Sequence, residues 1–214
     1  MRTKGKSRKD ANYYYACFTQ VDDWRFRLDT RIYLDEAQEQ RSKDEGACVA
    51  SVVCINPGSA LEIELDRWTR LDRGKDLTLP TIRKRFVNAF RLAVKDPPEG
   101  AFVRVLNLFY LCDPVLEDAV ETIRRIGSRK KVCSSEGDFH KIVWFAWGAD
   151  EKYFAKLGEF KARFQDANAA HSFFFDNRRK EIRVGIPSKA DFAKHPIRGL
   201  PSRPVEEHLA SILR

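Results

Sequence analysis

The sequence lacks any pair of cysteines in CxxC spacing. Its five cysteines, an odd number, show neither zinc-ligand nor iron–sulfur spacing; they are Cys17, Cys48, Cys54, Cys112 and Cys133. Several of them lie in apolar runs, which favours reduced and mostly buried thiols. We therefore expect a protein of a reducing compartment, without disulfides and without a metal site. With 43% hydrophobic residues among 214, the chain can bury a core that needs neither.

Long hydrophobic runs are also missing. No apolar segment approaches the roughly 20 residues that a membrane-spanning helix needs. The first residues are too basic and too polar for a secretory signal peptide. We therefore expect a soluble, cytoplasmic protein that has no membrane partner.

Several familiar sequence motifs are absent as well. The chain contains no P-loop, no dinucleotide fingerprint, no HExxH and no GxSxG motif. We expect no cofactor. No internal repeat and no interdomain linker interrupts the chain, which predicts one domain at residues 12–214. The basic, polar residues before it predict a flexible tail at residues 1–11.

Positive charge is in excess, and its distribution matters. The net charge is +8 and the sequence pI is about 9.3. Five positive charges precede the first acid, Asp10, so residues 10–214 carry only +3. The tail is either an arm that follows phosphates or a solvated terminus that aids solubility. Basic clusters at 83–85, 129–131 and 178–180 are, taken singly, typical of solvated surfaces.

The hydrophobic pattern predicts alternating strands and helices. Residues 13–34 are predicted to be extended, and the polar residues 35–46 to form a loop. Continuous apolar runs predict buried strands at 48–55, 102–111, 142–147 and 171–175, with a further extended segment at 182–186. Helical periodicity predicts helices that start near Pro80, Asp113, Tyr153 and Val205. This order predicts the α/β class: a three-layer α/β/α fold with a central, mostly parallel four-stranded sheet.

In such a sheet, binding sites form where loops leave the carboxyl ends of the strands. Four loops are expected there. They are residues 56–58, residues 107–114, residues 148–150 and the segment around His195.

These loops resemble the motifs of the uracil-DNA glycosylase superfamily. Residues 54–58 (CINPG) are similar to the GINPG motif of the mismatch-specific uracil and thymine DNA glycosylases, and other branches carry Asp at its third position. Residues 106–107 (LN), 143–148 (VWFAWG) and 195–201 (HPIRGLP) resemble the superfamily's strand ending in Asn, its strand ending in Trp-Gly, and its second motif, HPSPLS or NPSGLS. The four matches occur in the right order. The same loops also resemble an uncharacterised family from bacteria and phages.

The resemblance implies a uracil-DNA glycosylase-like fold and a role for each loop residue. Asn56 would hold the attacking water, and His195 would donate a hydrogen bond to the leaving base. Asn107 would read the edge of the base, because an amide presents a donor and an acceptor side by side. The remaining candidates are Ile55, Pro57 and Gly58 around the base, Phe109, Tyr110 or Trp68 stacked on it, and Lys194, Arg198, Gly199 and the wedge Leu200 on DNA.

The function expected from this resemblance is a metal-independent, monofunctional DNA glycosylase. It would flip a damaged or modified base, a pyrimidine, out of duplex or single-stranded DNA and hydrolyse its N-glycosidic bond as a monomer. Base excision repair, or defence against modified phage DNA, would be the setting. The matched loops contain no lysine, which argues against a Schiff-base lyase.

Two departures and several alternatives remain. Arg198 and Gly199 disturb the register of the second motif, and Pro201 replaces its Ser. Residues 61–76 match nothing in the superfamily and suggest a base other than plain uracil. The loops also have ordinary interpretations as a turn, a helix cap and a surface histidine. A non-catalytic nucleotide or nucleic-acid binding module and an enzyme of free nucleosides or nucleotides are the rival functions; a nuclease set at Asp150, Glu159 and Lys161 is explained better by helical periodicity.

Overall fold

The fold is described from a computed structural model that covers residues 12–37, 41–58, 64–71, 77–126, 139–148, 157–162, 164, 169–188, 191–197 and 199–214. The predicted basic tail at residues 1–11 lies outside these residues. So do Asp150, Tyr153 and Arg198.

Eight strands and four helices are present in the described residues. The strands are β1 (Asn12–Val21), β2 (Trp24–Ala37), β3 (Cys48–Cys54), β4 (Trp68–Arg70), β5 (Phe102–Asn107), β6 (Ile142–Phe145), β7 (His171–Asp176) and β8 (Glu181–Val184). The helices are α1 (Thr78–Leu92), α2 (Leu116–Ile126), α3 (Gly158–Ala162) and α4 (Ser202–Leu213). Strands therefore occupy the four apolar runs, while β2 continues into the segment predicted to be a loop and β4 was not predicted.

All eight strands form one mixed sheet in the order β4-β1-β2-β5-β3-β6-β7-β8. The pairs β5–β3, β3–β6 and β6–β7 are parallel, whereas β4–β1, β1–β2, β2–β5 and β7–β8 are antiparallel. The prediction of a three-layer fold around a four-stranded, mostly parallel sheet is therefore wrong. The sheet has twice as many strands as expected, and most of its pairs are antiparallel.

The N-terminal hairpin explains most of this difference. β1 and β2 are joined by a tight turn at Asp22 and Asp23, and Asp22 adopts a positive φ of 54° that Asp tolerates better than most residues. β2 then pairs antiparallel with β5, with Thr30 opposite Val105. β2 therefore pairs with the side of β5 that β3 leaves open, and β1 and β4 extend the sheet beyond β2. Without β2, the backbone groups on that side of β5 would be unpaired.

Apolar residues pack on both faces of the sheet. Because side chains alternate along a strand, Val52 and Trp144 belong to one buried cluster while Val53 and Phe145 belong to the other. α1 and α4 supply the first cluster, which we call the α1/α4 face; α2 and α3 supply the second, the α2/α3 face.

α1 and α4 are also joined by polar contacts. Pro80 is accommodated in the first turn of α1, where its missing N–H removes no helical hydrogen bond. Farther along the helix, the Arg85 guanidinium and the Asn88 amide both donate to Oε1 of Glu206 in α4, at 2.7 and 3.1 Å. None of the helices in the described part of the chain is both long and apolar enough to cross a membrane.

Candidate functional site

Asn56 lies directly beyond the carboxyl end of β3. Its Nδ2 donates to the backbone carbonyl oxygen of Asp113 at 3.0 Å, which ties this loop to the one that follows β5. The Asp113 carboxylate in turn accepts from the backbone N–H of Val115 at 2.8 Å, just ahead of α2. Among the described residues, Oδ1 of Asn56 has no hydrogen-bond partner. The amide is therefore held at its nitrogen and presents its oxygen as an acceptor.

Asn107 is the last residue of β5 and lies opposite Cys54 in the parallel pair with β3. Its residue is 1% exposed, and alternation with Val105 turns its side chain toward the α1/α4 face. Neither Nδ2 nor Oδ1 hydrogen-bonds to any group in the described part of the chain. A buried amide in this state costs about 1–3 kcal/mol for each unsatisfied group, so its presence calls for a reason.

His195 lies beside the end of β6. The backbone N–H of Gly148 donates to the carbonyl of Ala193 at 2.9 Å, and Ala193 also forms a bridge to Asp176, the last residue of β7. Gly148 has a φ of +51°, and a Cβ built on it would lie 2.3 Å from the Cβ of His195. The segment that carries His195 can therefore approach the strand ends only because residue 148 is a glycine.

The structure thus brings Asn56, Asn107 and His195 to one edge of the sheet. All three follow or flank the carboxyl ends of parallel strands that are neighbours in the order β5-β3-β6. Ile55 and Pro57 are buried beside Asn56, and Gly58, at a φ of +72°, has open space around its Cα. Of the predicted site residues, two amides and one imidazole therefore lie at this edge.

Phe109, Tyr110 and Leu200 lie in the core instead. Phe109 and Tyr110 are fully buried, and the Phe109 ring packs against Phe160 of α3 at 5.9 Å between centroids. Leu200 is 8% exposed and belongs to the α1/α4 face with Val205. A stacking aromatic or a wedge must project toward the ligand, so these positions argue against the roles that the resemblance implies for them.

Trp68 lies far from the site. It is on β4, the outer strand beside β1, and its ring stacks on Tyr15 at 5.5 Å and 12°. The cluster around it includes Phe102, the first residue of β5, whereas Asn107 is the last. This position argues against Trp68 as a substrate-binding residue.

The DNA-binding candidates are divided. The backbone N–H of Lys194 donates to the carbonyl of Phe175 at 2.9 Å, so Lys194 runs beside the end of β7, near the site. Gly199 is exposed, with a φ of +65°. The prediction for Arg198 concerns a residue outside the described ones.

Lys161 is a residue of this region whose burial we did not predict. It lies on α3, is 4% exposed, and its ammonium is 5.3 Å from the centroid of the Trp147 ring. Burial lowers the pKa of the ammonium from 10.5 to about 8. The periodicity that predicts this helix contains the signal, because Lys161 follows Leu157 by four residues and so shares its apolar stripe.

Two further features bear on where a ligand could bind. The described residues contain no group of three or more His, Cys, Asp or Glu side chains placed to hold a metal ion. A cleft of about 380 Å³, lined by Phe90, Val94 and Pro97 among others, opens beside the end of α1 that leads into β5. This cleft contains none of the predicted site residues.

Comparison with known proteins gives no relative. No family model, no curated protein and no solved structure matches this chain.

Replacing Asn107 by Leu should stabilise the protein by about 1–3 kcal/mol, because an apolar side chain of similar size removes an unsatisfied buried amide. Urea unfolding measures this change. Asn88→Leu is the matched control: it removes an amide that donates to Glu206, so it should destabilise. Equal destabilisation by both substitutions would show that the Asn107 amide is satisfied.

Gly148→Ala should displace the segment that carries His195. The added methyl group meets His195 at 2.3 Å in a backbone conformation that already disfavours Ala. We expect a loss of about 2–4 kcal/mol in the free energy of unfolding. Gly199→Ala, at a φ of +65° with nothing within 4 Å, isolates the conformational part and should cost about 1 kcal/mol. Equal losses would contradict the close approach.

Lys161→Met should stabilise the protein at pH 7 by up to about 3 kcal/mol, and the gain should shrink toward pH 10. The pKa of Lys161 is about 8 in the folded state and 10.5 in its ordinary environment. Between these values the unfolded chain binds the additional proton, so wild-type stability from this group rises with pH. Urea unfolding at both pH values tests this, with the exposed Lys84→Met as control. A gain independent of pH would contradict the lowered pKa.

Proposed function

We propose that this protein is a DNA glycosylase that takes a damaged or modified base, a pyrimidine, out of DNA and hydrolyses its N-glycosidic bond. The observation that carries the proposal is the buried Asn107 amide, whose two polar atoms hydrogen-bond to nothing in the described chain. It lies at the same sheet edge as Asn56 and His195.

A pyrimidine edge suits the Asn107 amide. Carbonyl and N–H groups alternate around such a ring, so one base can accept from Nδ2 while donating to Oδ1. Two hydrogen bonds between neutral groups in a site this buried would offset the desolvation cost of the unsatisfied amide. A base that lacks either group leaves one atom of Asn107 unsatisfied, which is how a hydrogen-bonding site rejects the wrong substrate.

Asn56 suits the water. Its Nδ2 is fixed by the carbonyl of Asp113, and Oδ1 is an acceptor with no partner in the described chain. An amide oxygen cannot remove a proton as a carboxylate does, but it can orient a water toward the sugar carbon. In the reaction, the water oxygen bonds to C1′ as the C1′–N bond breaks and its electron pair leaves with the base. The water loses a proton and the base gains one, giving a free base and an abasic sugar.

His195 suits the leaving base. It lies beside Gly148, at the end of the strand next to β3, and its Nδ1 faces the backbone N–H of Ile197 at 3.4 Å. A neutral imidazole that accepts a hydrogen bond at Nδ1 carries its proton on Nε2 and can donate from there. A hydrogen bond from Nε2 to an oxygen of the base would stabilise the charge that the base acquires as the bond breaks.

A cytoplasmic location is part of the proposal. Four described cysteines form no disulfide, which fits a reducing compartment; they are Cys17, Cys48, Cys54 and Cys112.

The burial of Leu200, Phe109 and Tyr110 favours a second candidate, a nucleotide or nucleic-acid binding module that performs no chemistry. Such a module needs Asn107 to read a base but needs neither a wedge nor an oriented water. Asn56 therefore distinguishes the two functions.

The test incubates the protein with DNAs that carry a panel of modified pyrimidines and measures released base and alkali-labile sites. Asn56→Ala should lower the single-turnover rate by about 10²-fold or more while leaving DNA affinity nearly unchanged, because its contribution arises in the transition state. Asn56→Asp is the matched variant: a carboxylate still orients water and should retain activity. Asn107→Leu should instead weaken binding of the base-containing substrate.

Two outcomes would count against the glycosylase. Binding of DNA without base release from any substrate in the panel would favour the binding module. Full activity of Asn56→Ala would remove the proposed role of Asn56.

A further inference from the structure

The turn between β7 and β8 lies next to the segment that carries His195. β7 is parallel to β6, with Phe174 opposite Phe145, so both strands end at the edge described above. The backbone N–H of Asn177, the first residue of the turn, donates to the carbonyl of Phe192 at 2.9 Å. Only two residues separate Phe192 from His195. The turn therefore borders the candidate site directly.

A buried carboxylate fixes this turn. Asp176 is 2% exposed, and its Oδ1 accepts from the backbone N–H groups of Arg178 and Arg179 at 2.8 and 3.3 Å. The guanidinium groups of Arg183 and Arg179 lie 3.6 and 3.9 Å from Oδ2, and together they balance the buried charge. Hydrogen bonds to Asp176 thus fix the backbone of the turn that carries the basic side chains.

Three consecutive basic residues occupy the exposed part of the turn. Arg178, Arg179 and Lys180 are all exposed, and the acids on either side of them are Asp176, which pairs with Arg179 at 3.9 Å, and Glu181. Lys180 has a φ of +60°, a conformation in which Gly or Asn is the more common residue. A lysine at this position costs conformational energy that a neutral Asn would avoid. The Lys180 ammonium donates to Oδ1 of Asn177 at 3.0 Å within the turn, and a further gain from binding an anion would offset the remaining cost.

We propose that this turn, residues 177–180, binds the phosphate backbone of the DNA strand that enters the candidate site. The proposal rests on the proposed function, since it names where the DNA substrate runs. A polyanion fits better than a single small anion, because three exposed positive charges lie side by side rather than converging on a buried pocket. The backbone N–H groups of the turn already donate to Asp176 and Phe192, so the side chains make these contacts.

The distance along the sheet defines the length of DNA involved. β7 is three strands from β5 in the sheet order, which corresponds to about 14 Å at about 4.8 Å per strand. A rise of about 3.4 Å per nucleotide makes this about four nucleotides. The turn should therefore contact phosphates about four nucleotides to one side of the base held by Asn107. Phosphates at the same distance on the other side of the base should contribute less to DNA affinity.

The test compares the wild type with Arg178→Gln/Arg179→Gln/Lys180→Asn by fluorescence anisotropy on duplex DNA at several salt concentrations. The variant should bind roughly tenfold more weakly at low salt, and the slope of log K against log salt should fall by about 2.7, at about 0.9 for each of three phosphates. Lys84→Gln/Arg91→Gln/Lys95→Gln, on and after α1, removes the same number of exposed charges and should leave the slope near the wild-type value.

A second variant protects the test against misfolding. Arg178→Lys/Arg179→Lys keeps the charge and should keep the wild-type slope. Oligonucleotides extended one nucleotide at a time from the modified base locate the contact: wild-type affinity should rise at about four nucleotides on one side, and the rise should be missing in the triple variant.

The outcomes separate this inference from the proposed function. If wild-type protein binds and processes DNA but the turn variant matches the α1 variant in affinity and slope, the turn proposal is overturned and the glycosylase remains. If the wild type binds no DNA in a salt-dependent way, both are overturned.

Discussion

Backbone hydrogen bonds between β5, β3, β6 and β7 hold four neighbouring strands in the same direction, so their carboxyl ends lie along one edge. Strand pairing alone therefore brings residues that are distant in sequence to this edge, and no long-range side-chain contact is needed. Asn107 and Asp176 end β5 and β7, while Asn56 and Gly148 follow β3 and β6. A change of direction in any one strand would remove its residue from the edge, which is why the site depends on the register more than on any single loop.

The unsatisfied amide of Asn107 lies at this edge and costs free energy of folding. Folding gains nothing from an amide whose two polar atoms find no partner in the described chain, and a leucine would fill the same volume without loss. Local stability is therefore sacrificed at a position where a ligand can restore it. Strand pairing fixes the backbone at this position, because Cys54 of β3 lies opposite Asn107. A group carried on a fixed backbone needs less reorganisation when a ligand binds.

The apolar pattern predicted the central strands but not how the sheet continues beyond them. Runs such as residues 48–55 and 102–111 are long enough and apolar enough to identify buried strands, and the helices between them imply parallel neighbours. Nothing in such a run says which strand covers its outer edge. The alternation of Trp24, Phe26 and Leu28 with charged residues does indicate a strand with one exposed face, which is the pattern of antiparallel sheets. That signal was present in the sequence and its consequence for the topology was missed.

Motif resemblance has a different limit. It assigns roles by order along the chain, and it therefore named Trp68, Leu200 and Phe109 without information on their depth or distance. Burial follows from packing against helices that a motif does not contain: Leu200 lies under α4, and Phe109 lies against α3. Backbone-determined features transfer better. Asn56 and Asn107 follow strand ends, and Gly148 needs its glycine because His195 is adjacent, so their positions follow from the topology once the parallel strands are known.

The two candidate functions differ in what they require of the edge. A binding module requires only complementarity to a base, which Asn107 would supply, and it would gain nothing from a second amide whose nitrogen is hydrogen-bonded and whose oxygen is not. Hydrolysis requires that second group, because water must be held on the sugar side while the base is held by its edge. The bond from Asn56 to the Asp113 carbonyl uses only the amide nitrogen. A residue present merely to join two loops could do so with its oxygen also engaged by a neighbouring N–H. The oxygen left as an acceptor is therefore the feature that favours chemistry over binding.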